Sequence, residues 1–328
     1  MGSPAAPDRE IVEWMRGTDP ALAWQVERDL LTAPERVWQA TRARVPVEGR
    51  AARLLRRQDP DGTWAGGAFF PSEDWDPAGT EGDPNGQPWV ATTWSLNALR
   101  EWGVDASVLD DTADRIERAV RWEYDGLPYW GGEVDVCINA WTLSNGMWLG
   151  RDMSELAQWF VDHEMDEGGW NCEWVEGSTR ASVESTLNGL LGVLDVEIRT
   201  GGTDALRAAR HRAEEYLLQR RLLRTLTDGR PVVPYVGVFM YPARAAYTVL
   251  RALDYFRAAH HHDGRAPDPR LADAITLLRE RRNHDGTWTQ EHRLPGRVWF
   301  HADVPPGEPS PWLTFTALRI LRWWEEGA

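Results

Sequence analysis

The chain has 328 residues and a net charge of −15, and all 36 of its basic residues are arginine. The absence of lysine excludes Schiff-base and phosphate-loop lysine chemistry, and the acidic balance speaks against nucleic acid or an anionic membrane as a partner. No apolar run approaches the about 18 residues of a membrane-spanning helix, no charged-then-apolar leader opens the sequence, and two cysteines, Cys137 and Cys172, do not make a disulfide framework. These features predict a reduced, cytoplasmic protein and leave its oligomeric state open.

In chain order, residues 1–8 are expected to be disordered. Asp19-Pro20 opens a helix, with Asp suited to the N-cap and Pro to the first turn; Leu22, Val26, Leu30 and Leu31 share its apolar face. Residues 34–45 and 48–58 read as two further helices. A long loop over 65–88, rich in Gly, Pro and acids, leads to a helix start at Trp89-Val-Ala-Thr-Thr-Trp94. Related starts recur at Cys137, Ser182, Ala243 and Trp312. Between them the sequence predicts helices over about 107–123, 152–164, 203–224 and 268–282. Period-two alternation is nearly absent, and Val232–Met240 reads as a loop or a short strand.

A turn motif punctuates these helices. It reads Gln58-x-x-x-Gly62-x-Trp64, then Glu164-x-x-x-Gly168-x-Trp170, then Arg282 in the first position before Gly286-Thr-Trp288. Helix, Gly–Trp turn and helix repeated in this way predict an array of similar hairpins. Five matching helix starts favour a closed ring, an all-α, α/α toroid, over an open superhelix. We expect one domain over residues 9–328, with the repeats running from about 48 to 324.

The Gln-x-x-x-Gly-x-Trp spacing resembles the repeat of squalene-hopene and oxidosqualene cyclases, so the chain resembles the terpenoid-cyclase and protein-prenyltransferase superfamily, most closely its single-domain bacterial members. The resemblance implies a central cavity for an isoprenoid-derived substrate. In class II cyclases the middle Asp of an Asp-x-Asp-Asp-Thr-Ala motif protonates an alkene. The corresponding start here reads Asp135-Val-Cys137-Ile-Asn139-Ala, with Asp135 matching the first Asp and Cys137 in the donor's place; a thiol is too weak an acid for that step. Leu109-Asp110-Asp111-Thr112-Ala113 looks similar, but Val108 stands where the first Asp belongs, so Asp110 and Asp111 read as helix-capping residues. In protein prenyltransferases an Asp-x-Cys pair and a distant His bind zinc. Val134-Asp135-Val-Cys137 is similar to that segment, but no later helix start offers the His.

Three sets of residues therefore carry candidate chemistry. Asp135, Cys137 and Cys172 are candidate zinc ligands, with Glu184 or His301 to complete the set. Glu133, Asp135 and Glu184 are candidate acid–base carboxylates at helix starts; Glu173 and Glu176, and the loop acids Asp74, Asp76, Asp303 and Glu308, are weighed with them. Trp89, Trp94, Trp130, Trp141, Trp170, Tyr247, Trp299 and Trp312 are candidate cavity aromatics, and Arg180 and Arg244 are candidates to hold an anionic group. His260-His261-His262 reads as a polar loop tract.

The leading expectation is an enzyme that cyclises or isomerises a hydrophobic, isoprenoid-derived small molecule. The alternatives are a carbohydrate-active enzyme using the rim carboxylates and a non-catalytic small-molecule-binding ring.

Overall fold

The computed structural model describes residues 8–327. The disorder expected at the N-terminus lies outside these residues, except for Asp8, whose carboxylate caps the first helix by accepting from Glu10 N at 2.8 Å.

Among the described residues there are thirteen α-helices: α1 (Arg9–Arg16), α2 (Pro20–Asp29), α3 (Glu35–Arg42), α4 (Gly49–Leu55), α5 (Thr92–Glu101), α6 (Thr112–Ala119), α7 (Val136–Trp148), α8 (Ser154–Asp162), α9 (Val183–Thr200), α10 (Asp204–Gln219), α11 (Val249–Asp263), α12 (Ala272–Glu280) and α13 (Pro311–Gly327). The sequence reading passed over α1. The helix predicted over 107–123 divides into a 3₁₀ turn at Ala106–Leu109 and α6. No strand forms at 232–240. Instead, β1 (Glu81–Gly82) pairs antiparallel with β2 (Arg297–Val298), tying the long 65–88 loop to the segment before α13.

The helices close a ring. Going around it, α5 packs on α7, α7 on α9, α9 on α11, α11 on α13, and α13 on α2. Helix α4 bridges α2 to α5. The α2–α5 join is fixed by Trp24 Nε1 donating to Trp102 O at 2.9 Å and Gln25 Nε2 donating to Glu101 O at 3.2 Å. Outside this circle, α8 and α10 cover α9, and α12 covers α11. Inner helices are apolar nearly all round, as a helix buried between neighbours must be; in α7 every residue from Ile138 to Gly146 is buried. The tightest join is α7 on α9, where a Cβ added at Gly192 would lie 2.9 Å from the Ala140 backbone.

The Gly–Trp turns are the fasteners. Gly62, Gly168 and Gly286 sit at φ of 91°, 86° and 88°, a left-handed conformation that favours glycine. Trp64, Trp170 and Trp288 are fully buried. Each indole N–H donates back to the preceding outer helix, to Leu54 O (2.9 Å), Phe160 O (2.8 Å) and Leu278 O (2.9 Å). Each backbone N–H reaches forward to a hydroxyl in the first turn of the next inner helix, at Thr92 (3.1 Å), Thr186 (3.1 Å) and Thr314 (3.0 Å). Position one varies with little effect on the turn itself: Gln58 and Arg282 each donate to the carbonyl of the turn glycine, at 3.1 and 3.2 Å, while Glu164 pairs with Arg212.

Candidate active site in the ring centre

The inner helices enclose a cavity of about 380 Å³, within the range of small-molecule sites. It is lined at the N-terminal end of α5 by Trp89 and Trp94, with Trp141 from α7 and Trp299 from the segment before α13. These rings form one wall. Trp89 and Trp94 meet edge to face at 4.6 Å, and Trp94 meets Trp141 at 4.8 Å. Trp94 Nε1 donates to Phe69 O (3.1 Å), Trp89 Nε1 to Pro295 O (2.9 Å) and Trp299 Nε1 to Val90 O (3.0 Å), so three of the indoles are held by backbone from the long loops.

The other lining is charged. Arg100 of α5 bonds Asp195 of α9 at 2.7 Å and Asn145 of α7 at 3.1 Å. Arg319 of α13 grips Asp254 of α11 with two bonds, of 2.9 and 2.5 Å, and Arg257 adds a third at 2.8 Å. Burial works against ionising Asp254, but Arg257 and Arg319 outweigh it and hold this carboxyl below its usual range. These pairs join α11 to its neighbour α13, and α5 to α9 on the two sides of α7.

Glu101, the last residue of α5, faces the same cavity. Its side chain is exposed to the open cavity, with protein atoms gathered densely around it. Burial pushes it above the ordinary glutamate value, against the pull of Tyr241, Arg100, Arg319 and Arg251. The Tyr241 hydroxyl accepts from Trp102 Nε1 at 3.0 Å, which leaves its own proton free to be donated to Glu101. The Tyr241 ring is clamped by stacking on Trp312, 4.6 Å between centroids and 9° between planes.

The candidates read from sequence divide between this cavity and its surroundings. Trp89, Trp94, Trp141, Trp299 and Arg244 line it. Trp170 does not, because it is the buried pin of its repeat turn. Trp130 is buried with its indole on Ala113 O, Trp312 backs Tyr241, and Tyr247 lies before α11 with its hydroxyl on Leu222 O at 3.0 Å. The start expected at Ala243 is displaced: α11 begins at Val249, where Thr248 caps it by accepting from Arg251 N. Arg180 is exposed, 3.9 Å from Glu167, and lines a second, outer pocket with the exposed Glu184.

Glu133 and Asp135 sit at the start of α7, outside the cavity lining. Glu133 accepts from Asp135 N at 2.8 Å, and its backbone exchanges two bonds with the Asn139 side chain. Burial raises both carboxyls. Asp74, Asp76 and Glu308 are exposed, while Asp303 is buried against Ser310 and pushed up by burial to about 6. The three histidines occupy the last turn of α11 rather than a loop, with His260 buried.

Cys137 and Cys172 do meet, with Sγ atoms 3.4 Å apart. Asn188 Nδ2 donates to Cys137 and the Ser185 hydroxyl to Cys172, both at 3.3 Å. The shared hydrogen bond, reinforced by burial, drives the Cys137 thiol up; the same bond lowers Cys172. Asp135 lies beside Cys172. As a zinc site the set fits poorly: among the described residues these three donors do not gather within 4.8 Å of one another, and the sulfurs already have neutral hydrogen-bond partners.

No family model and no curated protein matches the sequence. Among solved structures, a protein from Actinoplanes is similar over 94% of this chain and 90% of its own, at 14% identity and a TM-score of 0.42. A variant of a type II terpene cyclase from Scytonema, in its apo form, is similar over 96% of this chain and 85% of its own, at 13% identity and a TM-score of 0.42.

Proposed function

We propose that the protein is an acid-catalysing cyclase or isomerase acting on a hydrophobic, isoprenoid-derived small molecule in the central cavity. The observation that carries this reading is Glu101, a cavity-facing carboxyl that its surroundings raise above the ordinary glutamate value, sharing one cavity with a tryptophan wall. A carboxyl raised above its ordinary value keeps its proton to higher pH, which suits a proton donor. Seven residues of helix separate Trp94 from Glu101, a rise of about 10 Å, so an extended apolar chain spans both.

In the proposed reaction the Glu101 O–H bond breaks and the π electrons of a substrate double bond form a new C–H bond. The carbocation either loses a neighbouring proton to the Glu101 carboxylate, or is first captured by a second double bond of the same molecule, giving a cyclic cation that then loses its proton to that carboxylate. Either course is an isomerisation, balanced without oxidant or co-reactant. Tyr241 orients the carboxyl. Trp141 offers a π face to the positive charge, Arg244 already lying over Trp89 and Trp94, while Asp195 and Asp254 neutralise Arg100 and Arg319.

We assign the acid to Glu101 rather than to Glu133, Asp135 or Glu184 because those three do not line the cavity. Zinc at Cys137, Cys172 and Asp135 has no part in this mechanism. The test is incubation with a panel of isoprenoid alkenes in deuterium oxide. The reading expects carbon-bound deuterium in the product from the unmodified protein and none from Glu101→Gln. Bound ligand recovered without deuterium from both would instead identify a non-catalytic binding ring.

A further inference from the structure

Two cavity arginines have no carboxylate partner. Arg100 is matched by Asp195, and Arg319 by Asp254. Arg244 makes no hydrogen bond and no ion pair among the described residues; its guanidinium lies 4.7 Å from the centroid of Trp89 and 5.9 Å from that of Trp94. Arg251 reaches only neutral acceptors, Asn188 Oδ1 at 2.6 Å and the carbonyls of Ala245 and Ala246 at 3.3 and 3.4 Å. Both side chains are half-buried and both line the cavity.

The two belong to one unit. Arg251, in the first turn of α11, braces the carbonyls of the residues that follow Arg244. Arg244 itself holds a left-handed backbone, φ 50°, which disfavours any residue with a Cβ. A strained backbone that places an unpaired cation inside a cavity is the pattern of a ligand clamp. Cations removed from water without an anion are costly, and an incoming anion relieves that cost.

We infer that Arg244 and Arg251 form a receptor for a carboxylate, so that the substrate is an apolar acid with its head on these arginines and its body along Trp89, Trp94 and Trp141. This rests on reading the central cavity as the substrate site. The charge balance selects the head group. Arg100 and Arg319 are matched by Asp195 and Asp254 while Arg244 and Arg251 are not, which calls for an anionic head group, of which a carboxylate is the smallest. Burial lowers Arg244 to about 9 and Arg251 to about 10, and a bound carboxylate would restore both.

Calorimetric titration of the full chain with farnesoic acid, farnesol and farnesyl diphosphate tests the inference. The acid is expected to bind roughly ten- to a hundredfold more tightly than the alcohol, with added salt weakening only the acid. Arg244→Gln should remove most of the preference for the acid over the alcohol. Arg244→Lys, which keeps the charge without the planar fork, should retain part of the preference and serves if Arg244→Gln does not fold. Equal affinity for acid and alcohol overturns the head-group receptor while leaving the apolar cavity reading intact. Tighter binding of the diphosphate than of the acid overturns the carboxylate assignment. No binding of any of the three overturns both the receptor and the cavity reading.

Discussion

Arg210 offers the sharpest test of how the outer ring is held. Its side chain is fully buried in α10 and bonds three carboxylates: Glu197 of α9 at 2.9 Å, Glu214 at 2.7 Å and Asp263 of α11 at 2.7 Å. Tyr255 donates to Glu214 at 2.7 Å and His211 lies 3.0 Å from its other oxygen. Arg210→Met keeps the length of the side chain and removes the shared cation. Breaking a buried ion pair by deleting one partner costs about 3–5 kcal/mol. With an unfolding entropy of about 2.1 cal/mol/K per residue, 328 residues give about 1.5 °C per kcal/mol, so Tm should fall by about 4–7 °C near neutral pH. Burial opposes ionisation of Glu214 and Asp263, but their partners outweigh it and both titrate below their usual values of 4.5 and 3.8. Their contribution to stability is therefore complete above those values and is lost as pH falls through the depressed ones. In the variant the same buried carboxyls lack the guanidinium, so burial raises them and acidification relieves the strain. Thermal melting of both proteins between about pH 7 and pH 4.5 should show the Tm gap narrowing as pH falls. A gap that stays constant with pH would refute the argument.

The three repeat turns predict matched penalties. Thr92→Val, Thr186→Val and Thr314→Val each strand a buried tryptophan N–H, and each should cost about 1–3 kcal/mol in chemical denaturation, with spread among the three smaller than the mean; a negligible effect at any one would break the equivalence. The thiol pair predicts no stoichiometric zinc by elemental mass spectrometry, and one zinc per chain, lost in both Cys137→Ser and Cys172→Ser, would reinstate the metal reading.

The ring was readable from sequence because its fasteners are local. Glycine at positive φ, tryptophan two residues later and small or hydroxyl residues at the next helix start are all visible in a linear string, and each copy repeats the others. The cavity's chemistry was not readable, for a physical reason. Glu101 closes α5 beside Arg100 and Trp102, and a charged pair at a helix end normally marks a solvated terminus. Only ring closure turns that end inward. The available signal was the lone charges on otherwise apolar inner helices: Arg100, Asp195, Arg251, Asp254 and Arg319. Each is costly to bury, and three cations against two carboxylates leave Arg251 over. Arg244 was singled out from its place before α11, but its role depends on Trp89 and Trp94, which lie some 150 residues away in the chain. Glu133 and Asp135 attracted attention because a helix start bearing carboxylates looks the same whether it caps a backbone or serves a substrate.

The central claim is that Glu101 is a protonated acid facing the cavity. Infrared difference spectroscopy of the unmodified protein against Glu101→Gln, titrated in deuterium oxide, reads that proton directly. The account predicts a carboxylic C=O band, absent from the variant, that persists above the ordinary glutamate value of 4.5 and gives way to carboxylate as pH rises further. A difference spectrum showing only carboxylate at and above that value would contradict it, since an ionised Glu101 has no proton to give.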